Sequence, residues 1–168
     1  ILNRNHAAGP FSPAEETRLA VCRAKLLAER AKRVRPGWDD KVLADWNGLM
    51  IAALACAAVA FGVPGWLEAA AGAFDCIATR MTGGDRLFHS FRRGQAKNTG
   101  HLDDYANMCR AALALHQATG ARDYLAWAEK WAAALDRHYW DDSGGGYFFT
   151  ADDAEALLVR TKSAHDNA

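Results

Sequence analysis

Three clusters of polar residues recur along the chain, and their side chains suit proton transfer and hydrogen bonding to a hydroxyl-rich ligand. In chain order they contain Asp39, Asp40, Lys41, Trp46 and Asn47; His101, Asp103, Asp104 and Tyr105; and Arg160, Lys162, His165 and Asp166. Carboxylates and imidazoles are the side chains that most often transfer protons in enzymes, and aromatic faces stack on apolar ring faces. The predicted acid–base residues are Asp39, Asp40, Asp103 and Asp104. The predicted ligand-binding residues are Lys41, Trp46, Asn47, His101, Tyr105, Arg160, Lys162 and Asp166.

The same residues also have a structural interpretation. An aspartate at the start of a helix accepts hydrogen bonds from the first backbone N–H groups and is favoured by the helix dipole. Trp46 and Tyr105 would then fill the rim of a core instead of binding a sugar ring. His89 lies in a predicted β-hairpin that could overhang the cleft of a toroid, but a surface histidine is the favoured interpretation. The clusters therefore predict a shared cleft, while both catalysis and helix capping fit the acids within it.

Helices separate the clusters and must position them. Apolar residues at helical spacing, capping residues and glycine or proline breaks divide the chain into five predicted helices. Their expected ranges are 13–33, 41–61, 64–81, 102–119 and 122–139. Alternating residues and glycine turns predict short strands between them, at 86–91 with a return near 95–98, at 147–150 and near 157–160.

The helices form a repeat with an offset of 58 to 60 residues, as in the pairs Asp45 and Asp103, Gly62 and Gly120, and Leu87 and Tyr147. Each repeat contains a helix that is apolar on all sides (the inner helix), a helix with one apolar stripe (the outer helix), and a β-hairpin. Helices of the first kind must be surrounded by others, and those of the second kind are covered on one side only. This alternation predicts an all-α fold, a partial α/α toroid of helical hairpins with short β-hairpins between the repeats. Residues 1–168 are expected to be a single fragment of such a toroid, with two helical hairpins plus a leading helix. A partial toroid exposes apolar faces, so we expect a missing half or a second copy to cover them.

Composition narrows the classes of partner and compartment. The formal net charge is zero, so no nucleic-acid or membrane-surface partner is expected. The apolar run 48–67 approaches membrane-spanning length, but Gly62, Pro64 and Gly65 break it and predict a core helix. Four cysteines without CxxC spacing are expected to be small buried residues in a reducing compartment, hence in the cytoplasm. No phosphate-binding loop or metal-ligand spacing is present, so no cofactor or metal is expected.

Two strings resemble motifs of a known family. Residues 33–51 read RVRPGWDDKVLADWNGLMI and residues 102–106 read LDDYA, and residues 160–168 resemble the approach to a further motif that the family completes as Pro-Ser-Gly-Asn. They resemble the spermatogenesis-associated protein 20-like family of thioredoxin-domain-containing proteins, whose members end in a helical toroid. The resemblance implies a six-hairpin toroid similar to N-acylglucosamine 2-epimerases and six-hairpin glycosidases. This chain contains neither the thioredoxin-like domain nor the complete last motif, so we expect the chain alone to be inactive.

Two functional hypotheses follow. In the first, the toroid binds or processes a carbohydrate, by sugar isomerisation with a histidine base or by hydrolysis with paired carboxylates. In the second, the toroid is a non-catalytic scaffold or peptide-binding module that accompanies a thioredoxin-like domain. The positions of Asp40 and Asp104 discriminate between them. Burial against backbone amides or basic side chains favours the scaffold, and exposure to a polar pocket beside Trp46 favours the enzyme.

Overall fold

The computed structural model describes residue 9 and residues 11–162, in two compact units divided between Asp39 and Asp40. The first unit contains α1, Pro13–Ala31, which has no buried residue. Its start is a capping box, as the sequence predicts. The Glu15 N–H donates to Ser12 Oγ over 3.3 Å, and the Ser12 N–H donates to Glu15 Oε2 over 2.9 Å.

The second unit contains two helical hairpins and a small sheet. Its elements are β1 Val42–Leu43, α2 Ala44–Phe61, α3 Pro64–Arg80, β2 Thr82–Gly83, β3 Arg86–Arg92, β4 Gln95–Thr99, α4 Leu102–Thr119 and α5 Arg122–His138. Gly62 and Gly120 end α2 and α4 with φ values of 65° and 73°, a left-handed conformation that glycine adopts without steric cost. Within the described residues, α2 with α3 and α4 with α5 lie where the repeat predicts helical hairpins.

β3 is the centre of the antiparallel sheet and pairs with each of the other three strands. Leu43 of β1 lies opposite Ser90, and Thr99 of β4 lies opposite Phe88. The fold is therefore mostly helical with a four-stranded sheet, and the expectation of a purely all-α class is wrong in this respect. Because Val42 and Leu43 pair with β3, α2 begins at Ala44 and not at residue 41.

The two strands predicted after α5 do not form in the described part of the chain. A single bridge joins Trp140 and Tyr147, and Phe149 donates its N–H to Thr161 O over 2.8 Å. The carbonyl of Thr150 accepts a hydrogen bond from the Arg160 guanidinium, so it is not available to a longer β-ladder. This stretch is therefore a side-chain-braced loop.

The core of the second unit lies between α2 and α4, with α3 and α5 packed outside them. The α2 face that meets α4 carries small residues at helical spacing, which lets the two backbones approach closely. A Cβ built on Gly48 would lie 2.7 Å from the carbonyl carbon of Asn107. α2 is long and apolar enough to cross a membrane by length and composition, and in the structure it packs against α3 and α4.

The opposite face of α2 carries an exposed apolar stripe, formed by Trp46, Met50, Ala53 and Phe61. The side chains of Trp46, Met50 and Phe61 are 58%, 59% and 73% exposed, respectively. The prediction that the hairpins leave an apolar inner-helix face uncovered is thus confirmed.

The prediction that the cysteines are small buried residues holds only in part. All four cysteines are free, but Cys56 is exposed on α2 and Cys22 is exposed in the first unit.

Candidate functional site

Asp104 is fully buried at the start of α4 and joins the first turns of two helices. Its Oδ2 accepts the His101 N–H over 2.7 Å, and its Oδ1 accepts the Asp45 N–H over 3.0 Å. The first N–H groups of a helix have no partner within the helix, so each of these bonds satisfies a donor that burial would otherwise leave unpaired. Asp104 is thus a shared cap for α2 and α4.

The same carboxylate holds a histidine from the sheet. His89 on β3 places its Nδ1 at 3.0 Å from Asp104 Oδ2 and 3.1 Å from Asp104 Oδ1. An ionised carboxylate only accepts hydrogen bonds, so Nδ1 carries the hydrogen and Nε2 has a free lone pair in the neutral ring. This arrangement is an aspartate–histidine dyad, the pairing that orients a histidine base in many enzymes.

The charges around His89 favour its protonated form. The hydrogen bond to Asp104 raises the pKa of His89 above its ordinary value, and the charges of Asp104 and Asp45 act in the same direction. Burial and the charge of Lys41 oppose this increase. The His101 ring also faces His89, edge to face at 5.0 Å between centroids. His89 is therefore a partly exposed base whose pKa is raised above its ordinary value.

His101 occupies the N-cap of α4 and is fixed on its other side by an aromatic ring. Its imidazole stacks on Phe149 with 4.9 Å between centroids and 12° between planes. The carbonyl of Phe149 accepts the Leu102 N–H over 3.0 Å, which attaches the loop after α5 to the start of α4. The dyad thus lies where two inner helices, the central strand and this loop meet.

Asp45 and Trp46 lie beside the dyad in the first turn of α2. Burial raises the pKa of the Asp45 carboxyl, and the negative charge of Asp104 raises it further. The Trp46 N–H donates to Asp45 Oδ1 over 2.7 Å, and the indole is more than half exposed. A carboxyl with a raised pKa therefore lies next to the dyad, and an exposed aromatic side chain follows it in the chain.

The donor atoms of His89, His101 and Asp104 lie within 4.8 Å of one another, close enough to surround a metal ion. Two imidazoles and a carboxylate are a ligand set that zinc accepts. However, the two Asp104 oxygens already accept backbone N–H groups and His89 Nδ1. A metal ion would have to displace His89 from this bond, so the hydrogen-bonded dyad explains the geometry better.

A second group of possible ligands contains His138, Asp152 and Asp153. Arg86 forms two hydrogen bonds with Asp153, at 2.6 and 2.9 Å, and His138 Nδ1 lies 2.9 Å from Asp152 Oδ1. These contacts form an ion-pair network between β3 and the loop after α5. The expectation that the protein needs no metal or other cofactor stays a prediction.

The other predicted acid–base residues are not part of the dyad. Asp40 is exposed and pairs with Arg92, and this hydrogen bond lowers the pKa of Asp40. Asp39 belongs to the first unit, where it lines a concavity of about 600 Å³ at the end of α1. Asp103 is half-buried beside Asp104, and Lys41 is exposed before β1.

Several predicted ligand-binding residues form structural contacts instead. Asn47 Nδ2 donates to the Leu43 carbonyl over 2.8 Å. Tyr105 is fully buried and its Oη accepts the Leu87 N–H over 2.9 Å, so its ring fills the core and is not accessible to a ligand. Lys162 Nζ donates to Asp141 Oδ2 and to the Gly145 carbonyl at 2.5 and 2.6 Å.

Arg160 is also a structural contact, since its guanidinium donates to the carbonyls of Thr150 and His138 and lies 4.2 Å from the centroid of the Phe148 ring. His165 and Asp166 lie outside the described residues. Of the twelve predicted site residues, the structure brings Asp104, Asp103, His101, Trp46 and Lys41 to the surroundings of one dyad.

Sequence reasoning missed His89 as a functional residue and did not select Asp45. The signal for His89 was its spacing, because residues two apart on a strand share one face and Leu87 is buried. The signal for Asp45 was its place in the repeat, 58 residues before Asp103.

Comparisons with known proteins agree on the type of fold. No protein-family model matches the chain. The chain is 30% identical over 155 residues to human spermatogenesis-associated protein 20 and 32% identical over 158 residues to the mouse protein, with 86% of the chain aligned in each case. It spans 20% of the length of these curated relatives.

Two solved structures share the fold. A cellobiose 2-epimerase from Spirochaeta thermophila superimposes with a TM-score of 0.60 and 21% identity, covering 65% of this chain and 28% of the epimerase. An alpha-amylase from Clostridium perfringens gives a TM-score of 0.54 and 16% identity, covering 64% of this chain and 30% of the amylase. At these identities the likeness concerns the fold alone.

Proposed function

Because this chain is homologous to a segment of spermatogenesis-associated protein 20 and shares its fold with carbohydrate-processing enzymes, we propose that it forms an arc of an α/α toroid that acts on sugars. The observation that carries the proposal is the His89–Asp104 dyad at the start of two inner helices. The proposed substrate is a reducing sugar, and the proposed reaction class is isomerisation or epimerisation by proton transfer.

The dyad favours proton transfer from carbon over hydrolysis. Hydrolysis of a glycosidic bond uses two accessible carboxyl groups on opposite sides of that bond. Here Asp104 is buried against backbone amides, and Asp40 pairs with Arg92. In the proposed mechanism, His89 Nε2 removes the proton from the carbon next to the sugar carbonyl, and this C–H bond breaks to give an enediol. Asp104 keeps Nδ1 protonated and stabilises the imidazolium that forms.

In isomerisation, the imidazolium returns the proton to the neighbouring carbon. In epimerisation, a second acid protonates the same carbon from the other face, and His89 then loses its proton to solvent. Asp45 suits the role of proton donor to the carbonyl oxygen, since burial keeps its pKa above the ordinary value, and it takes the proton back from the enediol hydroxyl when the carbonyl re-forms. The exposed Trp46 indole supplies an apolar face against which a sugar ring can stack.

The test is incorporation of solvent deuterium. The complete natural polypeptide that contains this sequence is incubated with glucose, mannose or cellobiose in D₂O, and the proton at C2 is followed by NMR. We expect exchange in the wild type and a loss of at least about 100-fold in the His89→Asn variant, the usual contribution of a general base. His116→Asn is the matched control, because His116 contacts the Ala121 carbonyl at the far end of α4. Equal exchange in the His89→Asn variant and the wild type contradicts the proposal.

The second candidate is a non-catalytic scaffold, and specific contacts favour it. Asp104 caps two helices and Asp40 pairs with a basic side chain, which is the pattern expected for structural acids. In that case the toroid supports an attached domain or binds a peptide. The half-exposed His89 distinguishes the two candidates, because capping by Asp104 needs no histidine with a raised pKa. Absence of deuterium exchange together with an intact fold supports the scaffold.

The exposed stripe on α2 indicates what completes the toroid. We propose that an inner helix of a neighbouring hairpin covers Met50 and Phe61, either from the same polypeptide or from a second copy, and leaves Trp46 at the open end of the stripe. Support comes from the fold, since α4 covers the opposite face of α2 in the same side-by-side manner.

A cytoplasmic or other reducing compartment is proposed as well, because all four cysteines are free.

Met50→Lys tests this packing. If another inner helix covers Met50, the substitution should lower the free energy of unfolding of the complete natural polypeptide by about 2 kcal/mol or more, since an apolar side chain of this size contributes that much when buried. The same substitution should hardly change the 168-residue chain, in which Met50 is exposed. Thr79→Lys on the exposed face of α3 is the control. Equal midpoints of Met50→Lys and wild type in the complete polypeptide would show that nothing covers the stripe.

A further inference from the structure

The Asp104 carboxylate is closed off from solvent, although both histidines beside it are partly exposed. The Asp104 side chain is 1% exposed, whereas the side chains of His89 and His101 are 26% and 35% exposed. His101 Nδ1 lies 3.8 Å from Asp104 Oδ2. The His101 imidazole therefore lies against the carboxylate and is itself open to solvent elsewhere on its ring.

The Phe149 ring holds the His101 imidazole in this position. The two rings are stacked, with 4.9 Å between centroids and 12° between planes. The His101 ring also meets the His89 ring edge to face, at 5.0 Å between centroids. Rotation of the His101 side chain away from Asp104 would break both ring contacts, so the Phe149 stack opposes that rotation.

Main-chain bonds fix Phe149 independently of its ring. The Phe149 N–H donates to the Thr161 carbonyl over 2.8 Å, and the Phe149 carbonyl accepts the Leu102 N–H over 3.0 Å. Neither bond involves the side chain. A change of the Phe149 ring therefore removes the stack on His101 and leaves these anchors of the loop in place.

We propose that Phe149 and His101 form an aromatic cover over Asp104, and that both are positioning residues for the base His89. The inference rests on the proposed function and deepens it, because it names the side chains that keep the base aligned. Water at the Asp104 oxygens would compete with His89 Nδ1 and the Asp45 N–H, which these oxygens now accept. Excluding that water strengthens both hydrogen bonds, because the local dielectric constant is low.

Hydrogen–deuterium exchange of the Asp45 amide in the complete natural polypeptide tests the cover. The Asp45 N–H lies in the first turn of α2, where the helix offers it no acceptor, so its protection comes from Asp104 Oδ1. We expect this amide to exchange about tenfold faster in Phe149→Leu, near the upper value of one aromatic pair. Phe149→Tyr keeps a ring for the stack and should exchange like the wild type.

Two controls separate the ring from the loop that carries it. The Leu102 amide, bonded to the Phe149 carbonyl, should exchange at the same rate in Phe149→Leu and the wild type. Phe148→Leu is the matched control variant, because the Phe148 ring packs against the Arg160 guanidinium, 4.2 Å from the ring centroid. Its Asp45 amide should exchange like that of the wild type.

The sugar reaction gives a second measurement. Phe149→Leu should lower kcat for deuterium incorporation into the sugar by about tenfold and leave KM unchanged, because the ring acts on the base and not on the bound sugar. Phe149→Tyr should restore kcat. A raised KM with unchanged kcat in Phe149→Leu overturns the positioning role, since the ring would then bind the sugar.

The outcomes distinguish this inference from the proposed function. Exchange of the Asp45 amide at the wild-type rate in Phe149→Leu overturns the cover. Equal acceleration in Phe148→Leu also overturns it, because the loop and not the ring would then protect Asp104. Faster exchange in Phe149→Leu alone, with no deuterium incorporation into any sugar by the wild type, keeps the cover and contradicts the proposed reaction.

Discussion

Replacing Asp104 with asparagine is expected to lower the free energy of unfolding by about 3 kcal/mol, which is the lower part of the range for breaking a buried charged network. The carboxylate accepts the N–H groups of Asp45 and His101 and the Nδ1–H of His89. An asparagine amide offers one oxygen, so its NH₂ group must face at least one of these donors. That donor loses its acceptor inside the protein and stays desolvated.

The measurement is chemical denaturation of wild type and variant under the same conditions. Asp123→Asn is the control, because Asp123 is an exposed acid in the first turn of α5 and its loss should cost less than about 0.5 kcal/mol. A loss of similar size in both variants would mean that Asp104 acts only through the dipole of its own helix. The shared cap of α2 and α4 would then be wrong.

Replacing Gly48 with alanine is expected to lower the free energy of unfolding by about 2 kcal/mol, although alanine favours helix formation. The new Cβ would lie 2.7 to 2.9 Å from atoms of Asn107, two of which are backbone atoms of α4. Because a helix backbone cannot move locally, α2 and α4 would have to separate along their whole contact. Asp104 accepts the Asp45 N–H across this contact, so separation of the two helices should also disturb Asp104. The rate of deuterium exchange into the sugar should therefore fall as well.

Gly72→Ala provides a matched control with the opposite sign. Gly72 lies inside α3, is exposed, and has no heavy atom within 4 Å of a built Cβ. Alanine should therefore stabilise the protein by about 0.5 to 1 kcal/mol through helix propensity alone. Thermal midpoints of the two variants on opposite sides of the wild type would confirm the close crossing of α2 and α4. A stabilising Gly48→Ala would refute it.

Local sequence signals were sufficient for the helices. α4 and the glycine that ends it lie where apolar spacing and Gly120 placed them, because both signals act within one helix. The start of α2 was misplaced by three residues, since Val42 and Leu43 pair with Phe91 and Ser90 at the centre of the sheet. That pairing depends on residues nearly fifty positions away, which no local pattern reports.

The site was predicted only in outline for a similar reason. The register of the repeat placed Asp104 and His101 at the start of an inner helix, and they are there. Burial of Asp104 depends on the N–H of Asp45, which comes from the preceding hairpin, and on His89 from β3. Tyr105 has the composition of a sugar platform, but its position one residue after Asp104 turns the ring into the core. The roles of Asp104 and Tyr105 therefore depend on which face of α4 packs against its neighbours.

The pH profile of deuterium exchange into a reducing sugar tests the central claim most directly. His89 must be neutral to accept a proton, and its pKa in the folded protein is raised above 6.5 by Asp104 and Asp45 against the opposing charge of Lys41. The rate should therefore increase as the pH rises through this raised pKa, and the stabilising bond between protonated His89 and Asp104 should weaken over the same range. We predict that His89→Asn abolishes the increase. A rate that is the same in wild type and His89→Asn at every pH would contradict the account.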